Sequence, residues 1–409
     1  MSGHGGTGPA SSLRRLDAAT APVTAPLAAV DLDALDANAR FLVAAAGGLP
    51  IRLASKSIRC VELISYVLRE HPGFQGVLAF TPDEACHLAY AGIDDILVAY
   101  PTADGAAVER VVETAERTGA RIRLLVDSPE HVRFLAAHAL GRTVPVCAEI
   151  DLGWWPLGGR LAKIGPKRSP VRTPQQAAEL AALACRTKGV ELTSVLAYEG
   201  HIAGVGDIVP GRPLRQLAVR GMQAASLREI ARRLPLVLSA IEATLAEHGA
   251  APLELVNGGG SGSLQRTSGV GAATELSAGS GLFDPLLFDR YRSLRLEPAV
   301  AYAMPVVRKP LPTVATLLGG GYIASGVPGP DRAPVPALPE GLAFDGDEGA
   351  GEVQTPLHGA GALGFGDRVW LRHAKSGELL ERFNEIHFVR DAEVLEVVRT
   401  YRGEGHCFL

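Results

Sequence analysis

The 409-residue chain has no excess of basic charge: 40 Lys and Arg stand against 44 Asp and Glu, a formal net charge of −4. Without a basic field to neutralise phosphates, nucleic-acid and anionic-membrane binding lose their usual electrostatic driving force. A small molecule is the expected partner. Cysteine is scarce: the five residues at 60, 86, 147, 185 and 407 form no CxxC pair. This argues against a zinc ribbon, a redox motif or a disulfide framework and fits a reducing, cytoplasmic setting. No apolar run approaches the roughly 20 residues needed to span a bilayer. The first 25 residues carry Arg14 and Arg15 with no apolar segment behind them, so 1–25 reads as a flexible tail rather than a signal peptide. Aromatics are few, at 5%, but 47% hydrophobic and 21% charged residues exclude the disordered and collagen-like classes.

What is present is a recurring unit. Eight short apolar runs, IRLA (51–54), VLAF (77–80), ILVA (96–99), IRLLV (122–126), PVCAEI (145–150), VLAY (195–198), LELV (253–256) and TELS (274–277), are separated by segments with helical spacing. Continuous, unalternating runs are the mark of parallel strands buried on both faces. Eight such units suit an α/β fold of the (β/α)8 TIM-barrel type, typically about 250 residues, placed over 26–290; a doubly wound open sheet is the alternative. From 291 to 409 the texture turns to alternating strands, predicting a C-terminal β-sheet domain that contains a Pro/Gly-rich loop over 327–352.

In a barrel the reactive groups lie on the loops after the strands, with a phosphate site frequent after strands seven and eight. NGGGSGS (257–263) follows the seventh run and SAGSG (277–281) the eighth. Both could bring backbone amides close to an anion; turns that need positive φ are the alternative. After the first run stands Lys56, which the geometry points into the mouth. A desolvated amine near other cations becomes a nucleophile able to form a Schiff base, whereas a surface lysine on a loop would do nothing. A lysine on one side and two phosphate loops on the other describe pyridoxal 5′-phosphate anchored at both ends.

The stretches APLAAVDLDALDANARFL (25–42), RLASKSIRC, AEIDLGWWPLGG (148–159), LAYEGHIAGV (196–205), VNGGGSGS, ELSAGSGLFDPLLFDRY (275–291) and GFGDRVWLRHAKSGELLERFNEIHFV (364–389) carry a resemblance. The chain resembles the fold-type III pyridoxal-phosphate enzymes of the alanine racemase superfamily, and more closely the D-threonine aldolase and D-serine dehydratase branch. The resemblance implies that Lys56 carries the cofactor, that Gly259, Gly260, Ser261, Gly279 and Ser280 hold its phosphate, and that Tyr198 and His201 lie beside it. It also implies a homodimer whose sites are completed by the partner's C-terminal domain. A packed aromatic and a solvated histidine are the plain alternatives for Tyr198 and His201.

Two departures stand out. That branch carries a metal pair, a histidine and a second ligand two residues later; here His373 is present but Lys375 occupies the second position. Residues i and i+2 share a face of a strand and an ammonium donates no lone pair, so no counterpart of that metal site is expected. Lys375 could instead supply the missing positive charge, or be a solvated lysine. His406 and Cys407, adjacent near the terminus, are expected to be a frayed tail rather than a ligand pair. Where relatives place an arginine a few residues after the DxG stands Pro156, with Arg160 four residues on, while Trp154 and Trp155 either wall the pocket or pack structurally.

The expected activity is a pyridoxal-phosphate lyase acting on a small D-amino acid with a β-hydroxyl, by retro-aldol cleavage or dehydration, with Lys56, His201, His373 and Lys375 as the candidate catalytic groups. A racemase is the runner-up. A non-catalytic pyridoxal-phosphate carrier and a metal- or phosphosugar-dependent barrel without that cofactor are the rival classes.

Overall fold

The structure is a computed structural model, and it describes residues 9–409. From residue 9 the chain is not a loose tail. Pro9–Ala19 is a helix whose apolar positions Leu13 and Leu16, three apart on one face, are 2% and 0% exposed in a cluster with Leu27, Ala29, Ala301, Ala303, Trp370 and Val389. The expected flexible tail is thereby corrected over 9–25; its first eight residues lie outside the described ones. Strand β1 (Leu27–Asp31) follows, with all five residues buried.

The eight runs read from the sequence form a ring: β2 (Ile51–Ala54), β3 (Phe74–Ala79), β4 (Asp95–Val98), β5 (Arg121–Val126), β6 (Val144–Glu149), β7 (Val190–Ala197), β8 (Leu255–Gly258) and β9 (Glu275–Ala278). They pair in parallel and in sequence order, and β9 closes on β2. Helices on this unit start from strong local signals. Thr81, Ser128 and Thr173 each accept a backbone N–H at a helix start and are each followed by proline at the first helical position, where the missing N–H is harmless.

The barrel interior is layered. Alternate residues of a strand face the same way, and Leu97, Ala99, Leu125, Cys147 and Leu196 form one apolar cluster with Leu78 and Tyr100 against it. Towards the N-terminal ends of the strands the interior is ionic. Arg52, 1% exposed, donates from Nε to Glu275 Oε1 at 2.6 Å and from Nη2 to Asp95 Oδ2 at 2.9 Å. Asn257 donates to the same Glu275 at 2.7 Å. Gly76, at φ +61°, makes room for this guanidinium: a Cβ there would fall 2.6 Å from Arg52 Nη1. Burial opposes the charge on Arg52, but its carboxylate partners outweigh burial and raise its pKa.

The second unit is a nine-stranded sheet of β1 with β10 (Val300–Leu311), β11 (Val314–Leu318), β12 (Val335–Leu338), β13 (Ala343–Phe344), β14 (Gln354–His358), β15 (Arg368–Arg372), β16 (Glu385–Arg390) and β17 (Glu393–Arg399). β1 pairs antiparallel with β10 and parallel with β16, so the segment expected to open the barrel belongs to this sheet. By compactness the described part of the sheet unit takes residues 9–41, 57–64 and 280–407, and the barrel unit takes 42–56, 65–279 and 408–409. The stretch expected as a Pro/Gly-rich loop contributes two short strands, β12 against β15 and β13 against β14. No helix among the described residues is long and apolar enough to cross a membrane.

Two substitutions test these layers. Arg52→Met strands the buried Glu275 carboxylate and is expected to cost about 3 kcal/mol, read as a lower urea midpoint. Leu16→Ala is expected to cost about 2–4 kcal/mol; a midpoint equal to wild type would mean the N-terminal helix is not docked.

Candidate active site

At the C-terminal ends of the barrel strands the charge returns. Lys56 sits on a short 3-10 turn, Ser55–Ser57, directly after β2. Its Nζ donates to the phenolic oxygen of Tyr100 at 3.0 Å and lies 5.6 Å from that ring's centre. Tyr100 follows β4, and its ring packs on the apolar cluster of the barrel interior. Sequence reasoning overlooked it, although its place after the ILVA run was a usable signal.

Arg168 connects the rest. Its guanidinium lies 5.4 Å from the centre of the Tyr100 ring and 5.1 Å from that of Tyr198, a cation–π arrangement on both, and 3.7 Å from the Glu149 carboxylate. Glu149 ends β6 on the interior side, two residues beyond Cys147. Burial pushes its carboxyl up to about 7, with Asp127 and Asp151 adding to the effect and Arg168 opposing it. Burial likewise pushes the Tyr198 phenol up to about 12. Tyr100 goes the other way: burial works against ionisation, but the charges of Lys56 and Arg168 prevail and lower its pKa. Arg160 is exposed, and the arginine that meets these groups is Arg168.

The seventh-strand glycine loop is held from behind. Glu199, 1% exposed, accepts from Gly259 N at 3.2 Å and from Ser263 Oγ at 2.6 Å, and also from the Thr267 hydroxyl. Gly260 N donates to Ser263 Oγ at 3.1 Å. Of these two amides, expected to face a phosphate, that of Gly259 is engaged by Glu199 behind the loop and that of Gly260 by Ser263 within it. Gly259 has φ +77°, and a Cβ on Gly260 would lie 3.0 Å from Ala203 Cβ and 3.3 Å from the Tyr198 ring. Ser261 Oγ accepts from Gly279 N at 3.4 Å, which ties the loops after β8 and β9 together.

His201 lies on the turn of helix Gly200–Ala203 after β7, 5% exposed. Its Nε2 shares a hydrogen bond of 2.5 Å with Ser226 Oγ, on the long helix Pro213–Glu247, while Nδ1 has no hydrogen-bond partner among the described residues. Burial lowers its pKa, so the ring is neutral near pH 7. Close by, Trp154 and Ile164 bridge as a hairpin whose neck is Gly153 against Gly165, where a Cβ on Gly165 would meet Gly153 Cα at 2.7 Å and His201 Nδ1 at 3.4 Å. The Trp155 ring is flanked by Lys163 at 4.6 Å and Arg172 at 4.5 Å.

The remaining sequence candidates belong to the sheet unit. Ser280 Oγ and Ser57 Oγ are 2.8 Å apart. His373 is buried, its ring edge-on to Phe283 at 6.3 Å and 3.3 Å from Ser376 Oγ; burial, then the charge of Arg372, depress its pKa to about 3. Lys375 is exposed and donates to Ser325 Oγ at 3.3 Å. The expected shared strand face is corrected: β15 ends at Arg372 and the chain bends over 374–378, so the two-residue periodicity no longer applies. His406 is tied by its backbone to Tyr401 at 2.8 Å, Cys407 is exposed and in no disulfide, and the Phe408 ring meets Phe80 and His87 at 6.5 and 5.6 Å. The tail is thus anchored rather than frayed.

With this geometry in place, comparison with known proteins is informative. Residues 30–259 match the family model described as alanine racemase, N-terminal domain. The chain is 28% identical over 265 residues to 3-hydroxy-D-aspartate aldolase of Paracoccus denitrificans strain Pd 1222, covering 64% of this chain and 60% of that protein. It therefore spans about three-fifths of the length of the curated relatives it matches. The structure superposes on D-threonine aldolase from Filomicrobium marinum with a TM-score of 0.75 at 22% identity, over 94% of this chain and 96% of that one. On D-threo-3-hydroxyaspartate dehydratase from Delftia sp. HT23 it gives 0.68 at 19%, over 92% and 97%. The alanine racemase superfamily expected from the motifs is borne out.

Glu149 gives a pH test. Its folded pKa, about 7 against an ordinary 4.5, means the folded state holds the proton more tightly than the unfolded one. The stability this group contributes is fully present below pH 4.5 and is lost as pH rises through 7. Glu149→Gln is expected to gain on wild type progressively between pH 5 and 8 in denaturation midpoint; a constant difference would contradict the burial of this carboxyl.

Proposed function

We propose a function for this chain, which belongs to the alanine racemase N-terminal-domain family, from that membership and from one contact at the barrel mouth. The proposed activity is that of a pyridoxal 5′-phosphate-dependent lyase on a small D-amino acid with a β-hydroxyl, breaking Cα–Cβ or expelling the hydroxyl. The observation that carries it is Lys56 Nζ hydrogen-bonded at 3.0 Å to Tyr100 beneath the Arg168 guanidinium, in a barrel whose loop after β8 packs Gly260 closely against Ala203 and the Tyr198 ring. An aldehyde and a phosphate on one flat ring match that donor set: an amine for the first, the Ser261 and Gly279 region for the second. The names of the relatives, aldolases and a dehydratase of hydroxy-D-aspartate and D-threonine, support the reaction class.

When bound, pyridoxal phosphate supplies an electron sink for the bond broken at Cα. The chain's own residues do the rest. Lys56 offers the covalent attachment. Arg168, cationic and stacked on two tyrosines, sets positive charge at the mouth, and Glu149 draws that guanidinium to its side. Tyr198, its phenol held protonated, walls the site with an apolar ring. His201, neutral and buttressed by Ser226, is placed to hold or release a proton at Nδ1, the ring nitrogen with no hydrogen-bond partner among the described residues. Glu199 keeps the glycine loop in shape. A homodimer and a cytoplasmic setting complete the proposal.

The test is a visible spectrum of the purified protein with added pyridoxal phosphate, followed by borohydride reduction and peptide mapping. The expected result is a visible band and a pyridoxyl adduct on Lys56, both absent in Lys56→Ala. D-threonine giving glycine and acetaldehyde identifies an aldolase, D-serine giving pyruvate and ammonia a dehydratase, and D/L exchange alone a racemase. No band, or an adduct elsewhere, overturns the proposal.

A further inference from the structure

We propose that Tyr100 is a catalytic acid–base residue that exchanges a proton with Lys56. Its place in turnover rests on the function proposed above; the proton exchange itself does not. A lysine that attacks a carbonyl must first surrender a proton, and the oxygen it displaces must receive one. The group that serves both needs lies within hydrogen-bond reach of the amine. Tyr100 Oη is 3.0 Å from Nζ.

The surrounding groups allow it this role. Arg168 lies over its ring and, with Lys56, favours the phenolate despite burial. Tyr198, facing the same guanidinium, is driven towards staying protonated. Glu149 is directed at Arg168, and His201 is bonded to Ser226. The ring of Tyr100 is fixed by packing on Leu97, Ala99, Leu125 and their neighbours, so its oxygen is held in place rather than recruited.

The step balances. An ammonium N–H bond of Lys56 breaks, leaving its electron pair on nitrogen, and the proton bonds to the Tyr100 phenolate oxygen. The nitrogen pair forms the N–C bond while the carbonyl π pair moves to oxygen, which takes a second proton from nitrogen. The resulting hydroxyl then leaves as water with the proton from Tyr100 as the C–N double bond forms. Tyr100 ends as it began, and no oxidant or further reactant is required.

The experiment uses an aldehyde that has neither ring nor phosphate, so that it does not depend on cofactor binding. The cofactor-free protein is reductively methylated with formaldehyde and cyanoborohydride between pH 6 and 10. Lys56 is followed by peptide mass spectrometry against the exposed Lys188 in the same sample. Tyr100→Phe keeps the packed ring and removes the oxygen. The Lys56 to Lys188 rate ratio is expected to fall about 100-fold, the lower range for a lost acid–base group, with its pH dependence altered and Lys188 unchanged. A ratio within twofold of wild type at every pH overturns the proposal. A second measurement covers a variant that folds poorly: the phenolate difference absorbance at 295 nm, wild type minus Lys56→Met. One phenol is expected to ionise at higher pH once the amine is gone; identical titrations overturn it. Tyr100-dependent labelling in a protein that fails to take pyridoxal phosphate would uphold the proton exchange and defeat only the cofactor assignment.

Discussion

A single guanidinium organises the mouth of this barrel. Arg168 is drawn to the Glu149 carboxylate and covers the faces of Tyr100 and Tyr198, and each of those groups takes its ionisation behaviour partly from that charge. Planarity matters as much as charge: a guanidinium stacks on aromatic faces and bonds along its edge at the same time, which a lysine ammonium cannot do. With the cation in place a phenol beside Lys56 is biased towards ionisation, while burial and the nearby Glu199 keep the second phenol protonated against the same cation. Two tyrosines at one site thus acquire opposite tendencies from their environments, the condition under which roles in proton transfer separate.

A parallel barrel fills its interior with layered side chains, and here an apolar layer separates two charged ones. The lower layer closes on itself through Arg52, Glu275, Asp95 and Asn257, and Arg123 joins it through Asp95 and Glu254. In the upper layer matching is incomplete. Glu149 is 3.7 Å from its arginine, and His201 keeps a ring nitrogen with no hydrogen-bond partner among the described residues.

Much of this was legible in the sequence. All eight barrel strands were, because burial on both faces leaves unbroken apolar runs, and so were Lys56, Tyr198 and the two glycine loops, because they directly follow those runs. What was not legible depended on distant partners. The helix Pro9–Ala19 offers only Leu13 and Leu16 as strongly apolar positions, and nothing local reveals that Trp370 and Ala301 await them. β1 reads like a barrel strand because a central strand of a covered sheet is buried on both faces too. His373 and Lys375 were assigned a common face on the premise that the strand continues; it ends at Arg372, before either of them.

The arginine shows why spacing alone fails at such a site. Measured from the DxG at 151–153, an arginine at 160 lay nearer the expected distance than one at 168. Between them the chain makes a hairpin, Trp154 against Ile164, and closes its neck where Gly153 and Gly165 touch backbone to backbone. Residues inside a closed hairpin add length to the sequence without adding distance between its ends. From the neck onward the path resumes as though the hairpin were absent, and Arg168, three residues beyond Gly165, reaches the tyrosines, while Arg160 is carried out to solvent. Arg168 thus comes to the two tyrosines by the path the backbone takes through the neck, where Gly153 and Gly165 permit the close approach.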